Sequence, residues 1–331
     1  MNIAIPDDYQ DCVRSLRCFS VLEGHDVHIF NDSITDLDAM VARYANAQAI
    51  VLTRERTSVS DELLARLPRL RLIAQTGRVG AHVDVAACTA HGVAVADSAG
   101  DGSVAAELTW ALIMASRRHL VEEVNRLKAG LWQGFVGQQL RGQRLGIWSY
   151  GRIGEQVARY GKAFGMDVWV WGGEASTARA VRDGFQRAPS REAFFVESDV
   201  LSLHLRLTPA TEGIVTAADL ARMKATALFV NTSRAQLVEF LALEEALARG
   251  RPGYGAVDVF EKEPVRDGEH PLVKLPNALC TPHIGFVERD NYENYYGAAF
   301  DHIVRYASGQ AIDLVNPHVL QHERQQIPVV R

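Results

Sequence analysis

The chain has 331 residues, 47% of them hydrophobic and 23% charged, enough for a substantial core and, by length, about two domains. Its net charge is −5, from 35 basic and 40 acidic residues, without a run of five like charges, which argues against nucleic acid or an anionic membrane and leaves a small molecule as partner. Four scattered cysteines, Cys12, Cys18, Cys88 and Cys280, form no C-x-x-C pair, so a disulfide framework and a zinc site are disfavoured and no metal is expected.

The chain opens on an apolar strand, Asn2–Ile5, and meets Pro6, Asp7 and Asp8 at once. That leaves no room for a signal-peptide core or a spanning helix, so a cytoplasmic protein is expected. Further strands are predicted at Asp26–Phe30, Ala49–Thr53, Leu70–Gln75 and Gly92–Ala96, alternating with helix-length amphipathic segments. This alternation is the mark of a parallel sheet covered by helices on both faces, and five strands suit a small flavodoxin-like sheet. After the turn-rich Asp97–Gly102, Ser103 is the predicted N-cap of a long apolar linker helix, near 103–119, with Glu107 in its first turn where the dipole favours an acid.

A second series begins at Arg144, with strands predicted at Leu145–Trp148, Asp167–Trp171, Val200–Leu205, Ala227–Val230, Tyr254–Val257 and Ala278–Cys280. Six strands suit a dinucleotide-binding sheet. Tyr292, Tyr295, Tyr296, Phe300, Ile303 and Val304 then recur at helical spacing in a segment that crosses back to the first domain. The tail Pro317–Arg331 shows little periodicity and is expected to be loosely ordered. The expected fold class is α/β: two doubly wound parallel-sheet domains, Rossmann-like and flavodoxin-like, with the active-site cleft between them. The expected domains are 1–100 plus 287–331, discontinuous and substrate-binding, and 101–286, nucleotide-binding.

Strand Leu145–Trp148 leads into Ser149-Tyr150-Gly151-Arg152-Ile153-Gly154, which opens a helix with predicted inward positions Ile153, Val157, Tyr160 and Phe164. A glycine fingerprint in this context needs one glycine for the tight bend, a second for the approach of a pyrophosphate and a third for close helix–strand packing. Ser149 stands at the first place, while Gly151 and Gly154 keep the other two. Free N–H groups at the helix start and its dipole would hold the pyrophosphate. An acid is expected about 20 residues after the fingerprint if the ribose 2′-hydroxyl of NAD is gripped. The strand ends instead in Gly172-Gly173; Glu174 comes two residues late, and Arg179 and Arg206 are the nearest basic groups for a 2′-phosphate, although simple solvation weighs more for both arginines. NAD and NADP both stay open.

Three distant segments read as one chemistry: Asn231-Thr232-Ser233-Arg234, Asp258-Val259-Phe260-Glu261-Lys262-Glu263-Pro264 and Thr281-Pro282-His283-Ile284-Gly285. Each follows or ends an apolar run, at the strand end where open α/β sheets bind ligands. The Arg234 guanidinium can bind a carboxylate through two parallel N–H donors and polarise the neighbouring carbonyl. A lone histidine is more often structural than catalytic, and this chain has 11. A carboxylate such as Glu263, bound to one ring nitrogen of His283, would fix the tautomer so that the other nitrogen can give or take a proton.

The chain resembles the NAD(P)-dependent D-2-hydroxyacid dehydrogenases over nearly its whole length, from Gln75-Thr76-Gly77 through Ala106-Glu107-Leu108-Thr109, the glycine turn, Ser202-Leu203-His204-Leu205 and the three segments above. The resemblance implies interconversion of a small 2-oxo acid and its D-2-hydroxy acid by hydride transfer. It implies that Arg234 binds the substrate carboxylate, that His283 is the acid/base and Glu263 its partner, and that Asp258 meets the nicotinamide carboxamide. It implies further cofactor contacts at Arg152, Ile153, Thr232 and the loop from His283 through Gly285 to Phe286, and a homodimer; with Gly151, Gly154 and Glu174 from the turn, and Ser233, Arg234 and Asp258, these are the cofactor candidates. Gly77-Arg78-Val79-Gly80 resembles the loop whose N–H groups hold the substrate carboxylate, so Arg78, Val79 and Gly80 are substrate candidates, but Ala81 and His82 stand where Asp-Asn is common. Ser149 and Gly172 replace the usual glycine and aspartate.

Arg54 and Arg56 end strand Ala49–Thr53. Family members that accept a second anionic group resemble this arrangement, which makes Arg54 a candidate for a phosphorylated or dicarboxylic substrate; pairing of both with Asp61 and Glu62 on the surface is the slightly favoured alternative. Two other readings remain from the sequence: a nicotinamide-sensing, corepressor-like binding protein with little turnover, and oxidation of a one-carbon acid or oxyanion on the same scaffold.

Overall fold

The computed structural model describes residues 1–100 and 102–326 and divides into two compact units, Met1–Gly100 with the chain from Glu288 onward, and Asp101–Val287. The first unit holds a five-stranded parallel sheet of β1 (Asn2–Ile5), β2 (Asp26–Ile29), β3 (Ala49–Leu52), β4 (Leu72–Gln75) and β5 (Ala94–Ala96), in the order β2-β1-β3-β4-β5. β3, β4 and β5 are buried at every position, which is why they read as unbroken apolar runs without alternation. Helices start where the sequence supplies a cap: the Asp36 side chain accepts from Ala39 N at 2.9 Å and that of Asp84 from Ala87 N at 2.9 Å.

Helix Arg289–Ala307 belongs to this unit, burying Tyr292, Tyr296, Phe300 and Ile303, and the Tyr296 hydroxyl shares a 2.8 Å hydrogen bond with Thr53. The tail is more ordered than its sequence suggests. Val315 N donates to Val95 O and Asn316 Oδ1 accepts from Val95 N, each at 2.8 Å, so the returning chain covers the free edge of β5. Short helical turns follow at Pro317–Gln321 and Glu323–Gln326; the last part of the predicted loose tail, 327–331, lies outside the described residues.

The second unit holds seven parallel strands: β6 (Arg144–Trp148), β7 (Asp167–Trp171), β8 (Gln186–Arg187), β9 (Val200–Leu203), β10 (Leu228–Asn231), β11 (Tyr254–Val257) and β12 (Ala278–Cys280). Their order is β12-β11-β10-β9-β6-β7-β8. The chain steps outward from β6 to β8 and then returns to lay β9 on the other side of β6, so the order reverses between β6 and β9. A crevice at the carboxyl ends of such neighbours is where doubly wound sheets bind ligands. β8 escaped prediction because it is only two exposed residues long and has no apolar pattern.

Two local expectations change. Ser103 is the first residue of helix Ser103–Arg117 and the cap is Gly102 at φ 83, which places Glu107 beyond the first turn. Helix Arg152–Ala163 buries Gly154, Val157, Ala158 and Gly161, whereas Phe164 is 45% exposed and Tyr160 is only partly covered. Side-chain bulk is a poor guide here, since a Cβ on Gly161 would meet Leu145 Cδ2 at 2.5 Å and only a small-residue face can approach the sheet so closely. No helix among the described residues is long and apolar enough to cross a membrane.

Candidate active site

Sequence-distant polar groups of the second unit meet at the carboxyl ends of β10, β11 and β12. Asn231, 1% exposed, ends β10 and ties the loop that follows: its Nδ2 donates to Arg234 O at 2.8 Å and its Oδ1 accepts from Ser233 N at 3.0 Å. Ser233 Oγ donates to Leu203 O at 2.8 Å, and the Thr232 hydroxyl shares a 2.7 Å bond with that of Thr109. Arg234 thus stands on a loop held at three points, half-buried, with Nη1 donating to Ser233 O at 2.6 Å.

Asp258 follows β11 and is 1% exposed. Its Oδ1 accepts from Thr281 Oγ1 at 2.6 Å and Ile284 N at 2.8 Å, and its Oδ2 from Gly285 N at 2.7 Å. Burial raises its pKa against the lowering pull of those donors. The aspartate expected at the nicotinamide thus also pins the loop that carries His283. That residue has φ 51, a backbone region most side chains avoid, and the three donors to Asp258 hold it there. His283 Nδ1 lies 2.6 Å from Glu263 Oε2, and Glu263 Oε1 accepts from Phe260 N at 3.0 Å. With Nδ1–H donating to the carboxylate, Nε2 is left to exchange a proton with a ligand. The predicted pair is thus assembled, and Arg234 lies at the same edge of the same sheet.

One support for the Glu263 loop is absent from the sequence reading. His270 Nδ1 accepts from Leu272 N at 3.3 Å, so Nε2 carries the proton it donates to Glu261 Oε2 at 2.9 Å, and the Phe260 ring packs edge-on at 4.9 Å. Glu244 joins Glu261 and His270 here, the ligand atoms of all three lying within 4.8 Å of one another. The His270-Pro271 pair, a cap followed by proline at the first helical position, was the available signal.

At the fingerprint, a Cβ on Gly154 would meet Ser149 O at 2.2 Å, which makes this the close-packing glycine. A Cβ on Gly151 would meet nothing within 4 Å, and no side chain caps the helix there, so space and donors for a pyrophosphate are both present. Ser149 adopts φ 78, a conformation suited to the glycine it replaces. Gly172, at φ 154, sits in backbone closed to most side chains. Two cofactor candidates have other partners: Glu174 is ion-paired with Arg187 at 3.0 Å, and Arg179 Nη2 donates to Tyr150 O at 2.5 Å.

The first unit is organised separately. Gly77, at φ 84, opens the loop; Arg78 is ion-paired with Asp97 at 2.8 Å and Val79 N donates to the same carboxylate at 3.1 Å. The Val79 N–H, expected to serve the substrate, is therefore given to Asp97, while Gly80 follows partly exposed. The expected pairing of Arg54 and Arg56 with Asp61 and Glu62 is replaced. Arg54 Nη1 donates to Thr76 O at 3.3 Å and its guanidinium lies 5.3 Å from the Tyr295 ring centre; Arg56 Nη1 donates to Asp7 O at 2.9 Å; Asp61 takes His91 at 2.8 Å.

Residues 110–285 match the family model described as "D-isomer specific 2-hydroxyacid dehydrogenase, NAD binding domain". The chain belongs to this family. It is an oxidoreductase that works on a CH–OH group with a nicotinamide cofactor. A glyoxylate reductase of Aeropyrum pernix is 35% identical over 291 residues, covering 85% of each chain. A solved oxidoreductase from Ralstonia solanacearum is 50% identical with a TM-score of 0.94, over 96% of this chain and 98% of that one. The D-3-phosphoglycerate dehydrogenase of Methanocaldococcus jannaschii is 34% identical over 71% of this chain but only 45% of its own, so this dehydrogenase spans about half that relative's length.

His204, just past β9 at the nucleotide edge, accounts for one pH effect. Burial pushes its pKa from 6.5 down to about 3; its Nε2 lies 3.0 Å from Ser202 Oγ, and Nδ1 has no hydrogen-bond partner among the described residues. The unfolded chain binds this proton below pH 6.5 and the folded one only near pH 3, so the stability from neutral His204 is full above 6.5 and lost as pH falls. From pH 7 to 5 the loss is on the order of 2 kcal/mol. Urea unfolding should show a smaller loss by about that amount in His204→Asn, and equal losses would refute a depressed histidine.

Proposed function

We propose that this enzyme interconverts a small 2-oxo acid and its D-2-hydroxy acid, with Arg234 binding the carboxylate and polarising the carbonyl, and His283 moving the proton. The nicotinamide, when bound, supplies or accepts the hydride. In reduction, His283 Nε2 gives its proton to the carbonyl oxygen; in oxidation it takes the proton from the hydroxyl. Glu263 holds the imidazole through Nδ1 and offsets the charge that comes and goes on the ring. The observation that carries this reading is the 2.6 Å His283–Glu263 pair on the loop that Asp258 pins. Gly151 to Gly154 would hold the pyrophosphate, with Thr232 and Ser233 bordering the cofactor; NAD and NADP remain alternatives for the second nucleotide. Arg54 of the first unit is assigned to a second anionic group on the substrate.

The test is NADH and NADPH consumption with glyoxylate, pyruvate, hydroxypyruvate and 3-phosphohydroxypyruvate, in wild type and Arg54→Ala. The phosphorylated acid should have the highest kcat/KM, and Arg54→Ala should remove that advantage. An unchanged ranking would free Arg54 of its role, and tight cofactor binding without turnover would favour the sensor reading. The same family reading makes the enzyme a homodimer. Helix Leu120–Lys128 has no buried residue, and it and the following arm expose Leu127, Leu131, Trp132 (74%), Phe135 and Val136 (92%), an apolar surface suited to a second copy. A mass of 36.5 kDa by light scattering would remove that part.

A further inference from the structure

A cavity of about 600 Å³ lies at the amino-terminal edge of the second sheet, the edge opposite Arg234 and His283. Its polar lining comprises Arg117, Arg118, Arg141, Gln138 and Gln139, with Met114, Leu140 and Phe164 as an apolar wall, and no aspartate or glutamate is among the lining residues. Arg117 is the built part. It is 2% exposed, and its guanidinium donates to Thr226 O and Gln138 Oε1, both at 2.8 Å, and to Asp199 O, while its buried Nε has no hydrogen-bond partner among the described residues. Burial lowers its pKa to about 10, so it is a cation at neutral pH. Gln138 is held beside it by Gln138 N donating to Arg117 O at 2.8 Å, an approach that a Cβ on Gly137 would block by meeting that oxygen at 2.9 Å.

Arg118 and Arg141 are exposed and form no ion pair among the described residues. Cations at helix ends are commonplace, and Arg117 and Arg118 end helix Ser103–Arg117, but Arg141 lies on no helix. The Asp199 carboxylate already offsets part of the Arg117 charge, whereas Arg118 and Arg141 bring two further guanidiniums to the same hollow in a chain of net charge −5. The volume falls within the roughly 300–1,000 Å³ of small-molecule sites. We propose that this cavity binds a small organic anion, a phosphate monoester or dicarboxylate with an apolar body, as an effector site separate from the site of hydride transfer. The two edges share one element: helix Ser103–Arg117 carries Arg117 at the cavity and Thr109 against Thr232, two residues before Arg234.

Titration calorimetry with 1-naphthyl phosphate, under saturating NADH so that the pyrophosphate site is filled, tests this. Saturable binding is expected in wild type and in Arg234→Ala, which separates the cavity from the substrate site. The double variant Arg118→Ala/Arg141→Ala, both exposed and outside the catalytic machinery, should keep basal turnover and bind at least about tenfold more weakly through loss of two charge-assisted contacts. Equal affinity in the double variant, or no saturable heat up to about 10 mM probe, overturns the site.

Discussion

His283→Ala is expected to lower kcat by about 10²–10⁴-fold, the usual share of a positioned acid/base. The physical basis is the geometry of a single ring. Glu263 accepts the Nδ1–H hydrogen bond at 2.6 Å and is itself held by Phe260 N, which favours one tautomer and one orientation of the imidazole. Removing the ring removes the proton path and leaves the fingerprint untouched, so cofactor affinity by fluorescence titration should fall far less than kcat. Glu263→Gln should fall between wild type and His283→Ala, because an amide still positions Nδ1 but no longer offsets charge on the ring. If His283→Ala retained the wild-type kcat, another group would have to be moving the proton.

Arg234→Ala should lower kcat/KM by about 10²–10⁴-fold, since two charge-assisted hydrogen bonds to a carboxylate contribute roughly 1.5–3 kcal/mol each and every 1.4 kcal/mol is about tenfold. The loop geometry makes the loss specific to the side chain. Asn231, Ser233 and Thr232 each tie the loop through their own bonds, none of which uses the Arg234 guanidinium, so its backbone should hold its place in the variant. Arg234→Lys should recover only part of the rate, because an ammonium cannot present the planar pair of donors. Steady-state kinetics with a 2-oxo acid and with its uncharged amide would separate the roles. The amide should be a poor substrate for wild type and little worse for Arg234→Ala, and an equal loss on both would place Arg234 outside carboxylate binding.

The sheets are legible in the sequence because β3, β4, β9 and β10 are buried on both faces and need unbroken apolar runs, a pattern that short, fully covered parallel strands impose on a globular domain. The residues Arg234, Glu263 and His283 are legible for a related reason: polar chemistry directly after such a run has to emerge at a strand end. β8 is not, because its residues are exposed and its pairing with β7 is made by backbone alone. The inward face of helix Arg152–Ala163 is hidden because apolar size is visible in a sequence, while the space left by Gly154 and Gly161 belongs to the neighbouring strand.

Hydrogen-bond partners are the least legible part. Asp258, expected at the cofactor, also accepts from Thr281, Ile284 and Gly285; Val79, expected at the substrate, donates to Asp97; Arg179, a candidate for a phosphate, donates to Tyr150 O. The sequence by itself determined the α/β class, the strand runs and the identity of the groups able to do chemistry, because burial of apolar strands is a property of residue type and order. Only the tertiary structure decided which partner each polar group takes, since a hydrogen bond depends on a few tenths of an ångström between residues 18 to 29 positions apart in these three cases.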